Sequence, residues 1–350
     1  MIHEGKARIE VYSDVFYNPR MRFCRDADME IFRSMKSKSY LDALAATGVR
    51  GIRATLEADF ANVEFNDFSR KACENIERNL RLNGVEALIH NRDAAALMRE
   101  RSYHHVDIDP FGSPSEFLDS AAKSAFRYLS ITATDTSALC GSSPLSGLRK
   151  YGAFAEKTEY YHETGVRMLI GKIVREVTKY DKCPEVLISW AKEHYYRVHL
   201  KLRRTSRGAG KIYEKTGFIL HCRKCGWRES VNIFETPEMF CQCGERSRMY
   251  GPLWLGELHN PEFVSRLDRD GETGKLFERI ESEIHSVTHY EIHEICRRLR
   301  MSPPPLSDVI EALKERGYPA SRTRFSGTSF KTDADIREIE QIISEVHRQH

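Results

Sequence analysis

The 350-residue sequence contains no apolar run approaching the ~20 residues that a membrane-crossing helix needs, so no membrane association is expected. Its first residues, Met1-Ile2-His3-Glu4-Gly5-Lys6, lack the basic-then-apolar order of a secretory signal, and a cytoplasmic location is the default expectation. After the first expected strand there is no G-x-G-x-x-G, only Gly48 and Gly51, which speaks against a dinucleotide oxidoreductase. Internal repeats and low-complexity tracts are missing as well. A disulfide framework is disfavoured, because nine cysteines make an odd number and nothing points to export. Strong charge of one sign is also lacking: the formal net charge is only +3, which by itself says little about partners.

What is present is enough apolar residue, 41%, for a real core, and 30% charged residues that speak for solubility. The charge is unevenly spread. Residues 197–250 hold 12 Lys/Arg against 5 Asp/Glu, a basic island of the kind that phosphate backbones require or that a solvated face tolerates.

From about residue 37, short apolar runs alternate with helical patterns, the mark of an α/β doubly wound sheet. Strands are expected at Tyr40–Leu44, Asn62–Asn66, Ala87–Asn91, His105–Ile108 and Ser130–Ala133. Helices are expected at Ser69–Leu82, Ala94–Arg101 and Pro114–Arg127. Glu163–Lys179 carries Val166, Leu169, Ile170, Ile173, Val174 and Val177 at helical spacing. Two strands then follow closely enough for a hairpin, Glu185–Trp190 and Tyr195–Leu202, giving five parallel strands finished by an antiparallel pair. The glycine-bearing, charged stretch 203–211 reads as a loop and domain boundary. The chain thus divides into an N-terminal arm (1–36), a Rossmann-like domain (37–203), a cysteine-bearing module with linker (204–274) and a C-terminal domain (275–350). Helices at His285–Arg300 and Leu306–Arg316 and a hairpin within Tyr318–Thr332 make that last part winged-helix-like.

The first strand runs into Ala45-Ala46-Thr47-Gly48-Val49-Arg50-Gly51, small residues that let the chain turn sharply and a ligand approach. Acids close the next strands. Asp67 is placed to accept from both ribose hydroxyls of an adenosine, and Asp93, followed by Ala94, to meet the adenine edge. Asp109 ends the fourth strand. Each acid alone reads more readily as a helix cap or solvated turn residue; three at consecutive strand ends shift the balance toward a nucleoside-bearing ligand.

Asp109-Pro110-Phe111-Gly112 resembles the D-P-P-Y motif of amino-group methyltransferases. An exocyclic amine is a poor nucleophile because its lone pair is delocalised into the ring. The Asp109 carboxylate and the Pro110 carbonyl can accept its two N–H bonds, and Phe111 offers a face for base stacking. Further on, Cys222-x2-Cys225 and Cys241-x-Cys243, separated by 15 residues, are four thiolates able to close a tetrahedral structural zinc site.

The chain resembles, over nearly its whole length, the archaeal and eukaryotic tRNA guanine-26 N2-dimethyltransferases. The resemblance rests on Val15–Met21, Leu41–Arg53, Ile108–Pro114, Ala133-Thr134-Asp135, Leu139-Cys140-Gly141, Leu148–Tyr151, His162–Arg167 and Tyr250–Trp254. It implies S-adenosylmethionine as cofactor and tRNA as partner, with no obligate protein partner evident. Arg25, helped by Arg50, would reach the cofactor's methionine end, Asp67 the ribose, Asp93 and Ala94 the adenine, and Asp109 with Phe111 the target guanine. It further implies two successive methylations of one nitrogen. Another nucleic-acid amino methyltransferase, acting on rRNA guanine or DNA adenine, shares the same pocket logic. A non-catalytic zinc-containing nucleic-acid-binding protein would lack the cofactor.

Overall fold

In the computed structural model, which describes residues 1–349, the alternation that begins at Tyr40 becomes one seven-stranded sheet. The N-terminal arm ahead of it is itself structured. A hairpin of β1 (Ile2–Glu4) and β2 (Ala7–Ile9) leads to α1 (Arg22–Met35), whose Cys24, Ala27, Ile31 and Phe32 are fully buried. The sheet proper alternates β3 (Tyr40–Asp42), α2 (Val49–Ala58), β4 (Val63–Asn66), α3 (Arg70–Asn83), β5 (Leu88–His90), α4 (Ala94–Glu100), β6 (Tyr103–Ile108), α5 (Leu118–Ser124) and β7 (Ala125–Ala133). Two short helices, α6 (Thr136–Leu139) and α7 (Pro144–Tyr151), precede the long α8 (Tyr161–Thr178) and the hairpin β8 (Lys182–Lys192) and β9 (Tyr195–Arg204).

Strand order is β5-β4-β3-β6-β7-β9-β8, with the first five strands parallel and the last two antiparallel, as the sequence pattern predicts. From β3 the chain proceeds outward to β4 and β5, then returns to place β6 on the other side. Such a reversal opens a crevice beyond the carboxyl ends of β3 and β6, where doubly wound sheets bind their ligands.

Several expectations shift. The helix expected over Pro114–Arg127 covers only Leu118–Ser124, because Ala125 already pairs with Tyr103 as the start of β7. The stretch 203–211 is not a plain loop: the Thr205 hydroxyl accepts from Gly208 N at 3.1 Å and caps α9 (Ser206–Lys211). The basic island is not one surface. Arg197 lies wholly inside the core, and Arg228 is clamped between the Tyr160 and Tyr290 rings, 4.3 and 4.5 Å from their centroids. Arg203, Arg204, Arg207, Lys224, Arg246 and Arg248 do remain exposed.

The cysteine-bearing module is an antiparallel sheet of β10 (Thr216–His221), β11 (Arg228–Asn232) and β12 (Arg248–Trp254) in the order β11-β10-β12. It is followed by α10 (Pro261–Val264) and α11 (Gly271–Glu281). The expected boundary at 274/275 falls inside α11, whose Phe277 and Ile280 pack into the same core as α1 and β3. The expected boundary at 203/204 falls within β9, which runs to Arg204.

A separate apolar core holds β13 (Tyr290–Glu291), α12 (Ile292–Leu299), α13 (Leu306–Glu315), β14 (Ala320–Thr323), β15 (Ser326–Thr332) and α14 (Ile336–Gln349). With sheet order β13-β15-β14 and two helices before the hairpin, the arrangement is winged-helix-like. The helix expected from His285 starts only at Ile292, because the residues before it serve the joint between domains.

That joint is built on Glu163 of α8, fully buried. Its Oε1 accepts from Arg167 (2.8 and 2.9 Å), Lys331 (2.7 Å) and Thr288 N (3.1 Å), while Oε2 lies 3.0 Å from His289 Nδ1. Burial alone would raise the Glu163 pKa, but the Lys331 and Arg167 charges and the His289 hydrogen bond hold it well below the ordinary value of 4.5. Its folded pKa being depressed, its stabilisation is present above that ordinary value and is lost as pH falls below it. We therefore expect Glu163→Gln, which strands buried Lys331, to cost about 3–5 kcal/mol in urea unfolding near neutrality. The gap between variant and wild type should narrow on acidification; a constant gap would contradict this.

Candidate active site

The crevice beyond β3 and β6 is a cavity of about 670 Å³. Its floor is the turn after β3, where Ala46 and Gly48 have φ of 49° and 77°. Gly51, one turn into α2, has no room for a side chain: a Cβ there would lie 2.3 Å from the Phe65 ring. Close packing of α2 on β4 therefore demands this glycine.

Asp67, after β4, accepts from Ala46 N through Oδ2 (2.9 Å) and from Ser69 N through Oδ1 (2.8 Å), so its carboxylate is fixed where it lines the cavity. Asp93 uses Oδ1 to cap α4 at Ala96 N, 2.8 Å away. Neither Asp93 nor Ala94 is among the residues lining the cavity, although the end of β5 is tied to Asp67 by the Asn91 amide. Sequence reasoning missed Asp42, the acid closing β3. It lines the cavity, accepts from Gly51 N at 3.1 Å, and is pushed well above the usual carboxylate range by burial and by the nearby Asp107 and Asp109 charges. The strand expected over Tyr40–Leu44 puts Asp42 in its middle, whereas β3 stops at Asp42 and leaves this acid at the strand end.

Both expected arginines line the cavity, and both are held by protein carboxylates. Arg25 donates from Nε and Nη2 to Glu4 at 2.6 and 2.7 Å and from Nη2 to the Asn18 carbonyl at 3.1 Å. Glu4 feels opposing pulls: burial raises its pKa, but the Arg25 pair, Tyr17 and Arg53 bring it down to about 2. Arg25 Nη1 makes no hydrogen bond to protein among the described residues. Arg50 is almost fully buried and pairs with Asp28 of α1 on one side and Asp109 on the other. Behind them, Arg197 forms two 2.7 Å bonds to Asp107 and one of 3.0 Å to Asp28. This buried ladder of alternating charge ends on the Asp109 carboxylate itself, which Arg50 holds by Oδ2; the Asp109 side chain lines the cavity and is 25% exposed.

The turn Asp109-Pro110-Phe111-Gly112 is zipped to the end of β7. Thr134 N donates to the Gly112 carbonyl (2.9 Å), and Gly112 N donates to the Thr134 hydroxyl (2.7 Å). Gly112 has a φ of 97°, open to glycine and strained for other residues. The turn leaves Phe111 89% exposed. Phe16, from the arm, stands against it with ring centroids 5.7 Å apart and an interplanar angle of 67°. Two exposed aromatics at the mouth of the cavity contribute little to the core and suit a planar guest. Phe16 was not singled out from sequence, because nothing local tells that the arm folds back over the sheet. His194, in the β8–β9 turn, also lines the cavity, and that turn is held to α1 by Lys192 Nζ, 3.2 Å from the centre of the Phe23 ring.

Away from this cavity, the Sγ atoms of Cys222, Cys225, Cys241 and Cys243 all lie within 4.8 Å of one another. The Cys222–Cys243 and Cys225–Cys241 separations, 3.6 Å each, approach the ~3.8 Å edge of a tetrahedron with metal–sulfur bonds near 2.3 Å, and Cys241 and Cys243 stand closer, at 2.9 Å. Four thiols and no carboxylate make a soft donor set suited to a closed, structural metal site.

A doubly wound sheet with an antiparallel end pair, a nucleoside-sized crevice with acids at its strand ends, and an Asp-Pro-Phe turn at its fourth strand define a Rossmann-like S-adenosylmethionine-dependent methyltransferase. Comparison with known proteins narrows this. Residues 1–344 match the model of the N2,N2-dimethylguanosine tRNA methyltransferases, and the chain belongs to that family. It is 51% identical, over 98% of both chains, to the tRNA (guanine(26)-N(2))-dimethyltransferase of Archaeoglobus fulgidus. The protein of the same name from Methanosarcina mazei is 39% identical, with 94% of this chain and 91% of that one covered. Among solved structures, that of Trm1 from Pyrococcus horikoshii in complex with S-adenosyl-L-methionine superimposes with a TM-score of 0.91 at 37% identity, covering 98% of this chain and 99% of that one.

In this structure Arg50 holds Asp109, a role that experiment can separate from the expected grip on the cofactor. Arg50→Lys keeps the charge but loses the fork. Turnover at saturating cofactor should drop by about tenfold or more while S-adenosylhomocysteine affinity, read by calorimetry, changes little. The reverse pattern would put Arg50 on the cofactor instead.

Proposed function

We propose that this protein methylates the exocyclic N2 of guanine at position 26 of tRNA, twice in succession, giving N2,N2-dimethylguanosine. The observation that carries the reading is the Asp109–Pro110 pair of acceptors at the mouth of a cavity that also contains the Asp67 carboxylate, together with membership of the family. When bound, S-adenosylmethionine supplies an electrophilic methyl carbon on a positively charged sulfur.

The remaining chemistry belongs to the chain's own residues. Asp67 would hold the ribose hydroxyls, and Arg25, through its open Nη1, the methionine carboxylate. At the neighbouring strand end, Asp93 keeps Oδ2 for the adenine amine, with Ala94 beside it. Phe16 and Phe111 would grip a guanine withdrawn from the tRNA fold, base-on-ring stacking being worth about 1–3 kcal/mol. Asp109 and the Pro110 carbonyl then accept the two N2–H bonds. This localises the nitrogen lone pair; as the C–N bond forms the methyl's bond to sulfur breaks, the sulfur leaving as a neutral thioether, and Asp109 would accept the proton that the nitrogen gives up. After a first transfer one N–H remains, and either acceptor can hold it for the second.

The four cysteines would hold zinc as a structural ion, stabilising a module too small for a core of its own. The exposed cations around its knuckle, Lys224, Arg246 and Arg248, and the Arg203–Arg207 stretch would meet tRNA phosphates. The C-terminal winged-helix-like domain would share that load. No helix among the described residues is long and apolar enough to cross a membrane, and a tRNA substrate fits a cytoplasmic place of work.

Two outcomes test this reading. Incubating tRNA with the protein and labelled cofactor should yield N2-methylguanosine and N2,N2-dimethylguanosine by nucleoside mass spectrometry. Asp109→Ala should lower turnover by about 10²-fold or more with cofactor and tRNA binding largely kept; near-full activity in that variant would remove Asp109 from the chemistry. For the metal, chelation with verified loss of the ion should lower the melting temperature and tRNA affinity before it slows methyl transfer, whereas an unchanged melting curve would count against a structural zinc.

A further inference from the structure

Another carboxylate lines the same cavity. Asp135 follows β7, the strand beside β6, and its side chain is only 9% exposed. It is anchored from behind: the Tyr151 hydroxyl donates to Oδ1 at 2.5 Å, and Lys150 Nζ lies 3.2 Å from Oδ2. That hydroxyl also meets the Ser113 hydroxyl at 3.0 Å. Because Thr134 and Gly112 exchange two hydrogen bonds, the backbones carrying Asp135 and Asp109 form one frame. A carboxylate oxygen has two acceptor sites, so each oxygen of Asp135 keeps one after its anchoring bond.

A base whose C2 amine sits at Asp109 and Pro110 exposes its N1 position next along the same edge. Guanine carries N1–H there, a donor. In 2-aminopurine the C2 amine is unchanged but N1 is a bare acceptor, as it is in adenine. An acceptor-only side chain at that point bonds the first and repels the second.

We propose that Asp135 is a specificity-determining residue that accepts the N1–H of the target guanine while Asp109 and Pro110 hold its N2. The assignment rests on the amino-methyltransferase reading of the cavity above. Lys150 and Tyr151 act through it as positioning residues, fixing the carboxylate so that an unmatched base cannot push it aside. Selection of guanine is then built into the cavity as well as into where the tRNA docks.

The test compares tRNA transcripts carrying either guanine or 2-aminopurine at the target position, with methyl incorporation measured as kcat/KM. The wild-type protein should favour guanine by at least about 100-fold, the order reached when a site built to bond one edge meets another. In Asp135→Asn the carboxamide can rotate its NH2 toward a bare N1, so that the preference should shrink to within about tenfold. The proposal is overturned if the wild type treats both bases alike, a comparison that needs no variant to fold. It is equally overturned if Asp135→Asn slows both substrates by one common factor, as loss of a purely structural anchor would. Absence of any methyl on the guanine transcript with the wild-type protein would instead sink the underlying reading of the cavity.

Discussion

Everything at the site hangs on a buried guanidinium. Arg50 leaves α2 beneath the crevice and bridges Asp28 of the N-terminal helix to Asp109 at the end of β6. One layer deeper, Arg197 repeats the arrangement between Asp28 and Asp107. Charges this far from water persist only when each is paired, and removing one member strands the others. The ladder therefore fixes how the arm, the parallel strands and the antiparallel pair fit together, and it fixes the direction in which Asp109 points. A carboxylate held by a buried salt bridge has little freedom of position, which is what a reacting group at that place would need.

A similar logic operates at the domain joints, with different groups. Glu163 gathers a lysine, an arginine, a histidine and a backbone amide drawn from α8, β15 and the segment before β13. Arg228 of the cysteine-bearing module is held between two tyrosine rings and by Glu159. The knuckle reaches the catalytic side through Arg223 and Glu156, 2.7 Å apart. These joints tie the catalytic sheet, the cysteine-bearing module and the C-terminal core to one another. The four-cysteine cluster and the cavity are thus separate in space and linked through contacts in the 150s segment.

Much of this was legible before any coordinates. The α/β alternation, the antiparallel end pair, the Asp67 and Asp109 strand ends and the four-cysteine cluster depend on local pattern: period, turn chemistry and spacing. Where the reading slipped, a longer-range contact had decided the matter. The helix after Pro114 yields to a strand because Ala125 finds a partner in β6. The expected helix at His285 is shortened because Thr288 and His289 are drawn to Glu163. The basic island dissolves as a single surface because Arg197, counted with the exposed cations, is the residue most needed inside.

The order of residues alone determined which chemistry was available: acceptors for an amine, acids for a nucleoside, thiolates for a soft metal, each set by the kinds of atoms in a short stretch of chain. Only the tertiary structure decided what those groups are free to do. Arg50 faces Asp109 and Asp28, Phe16 meets Phe111 across a gap of more than ninety residues, and Asp135 stands on the frame that carries Asp109. Each of these results from packing distant segments around buried charge, where every ion takes the partner that desolvation forces on it. Composition cannot name that partner in advance.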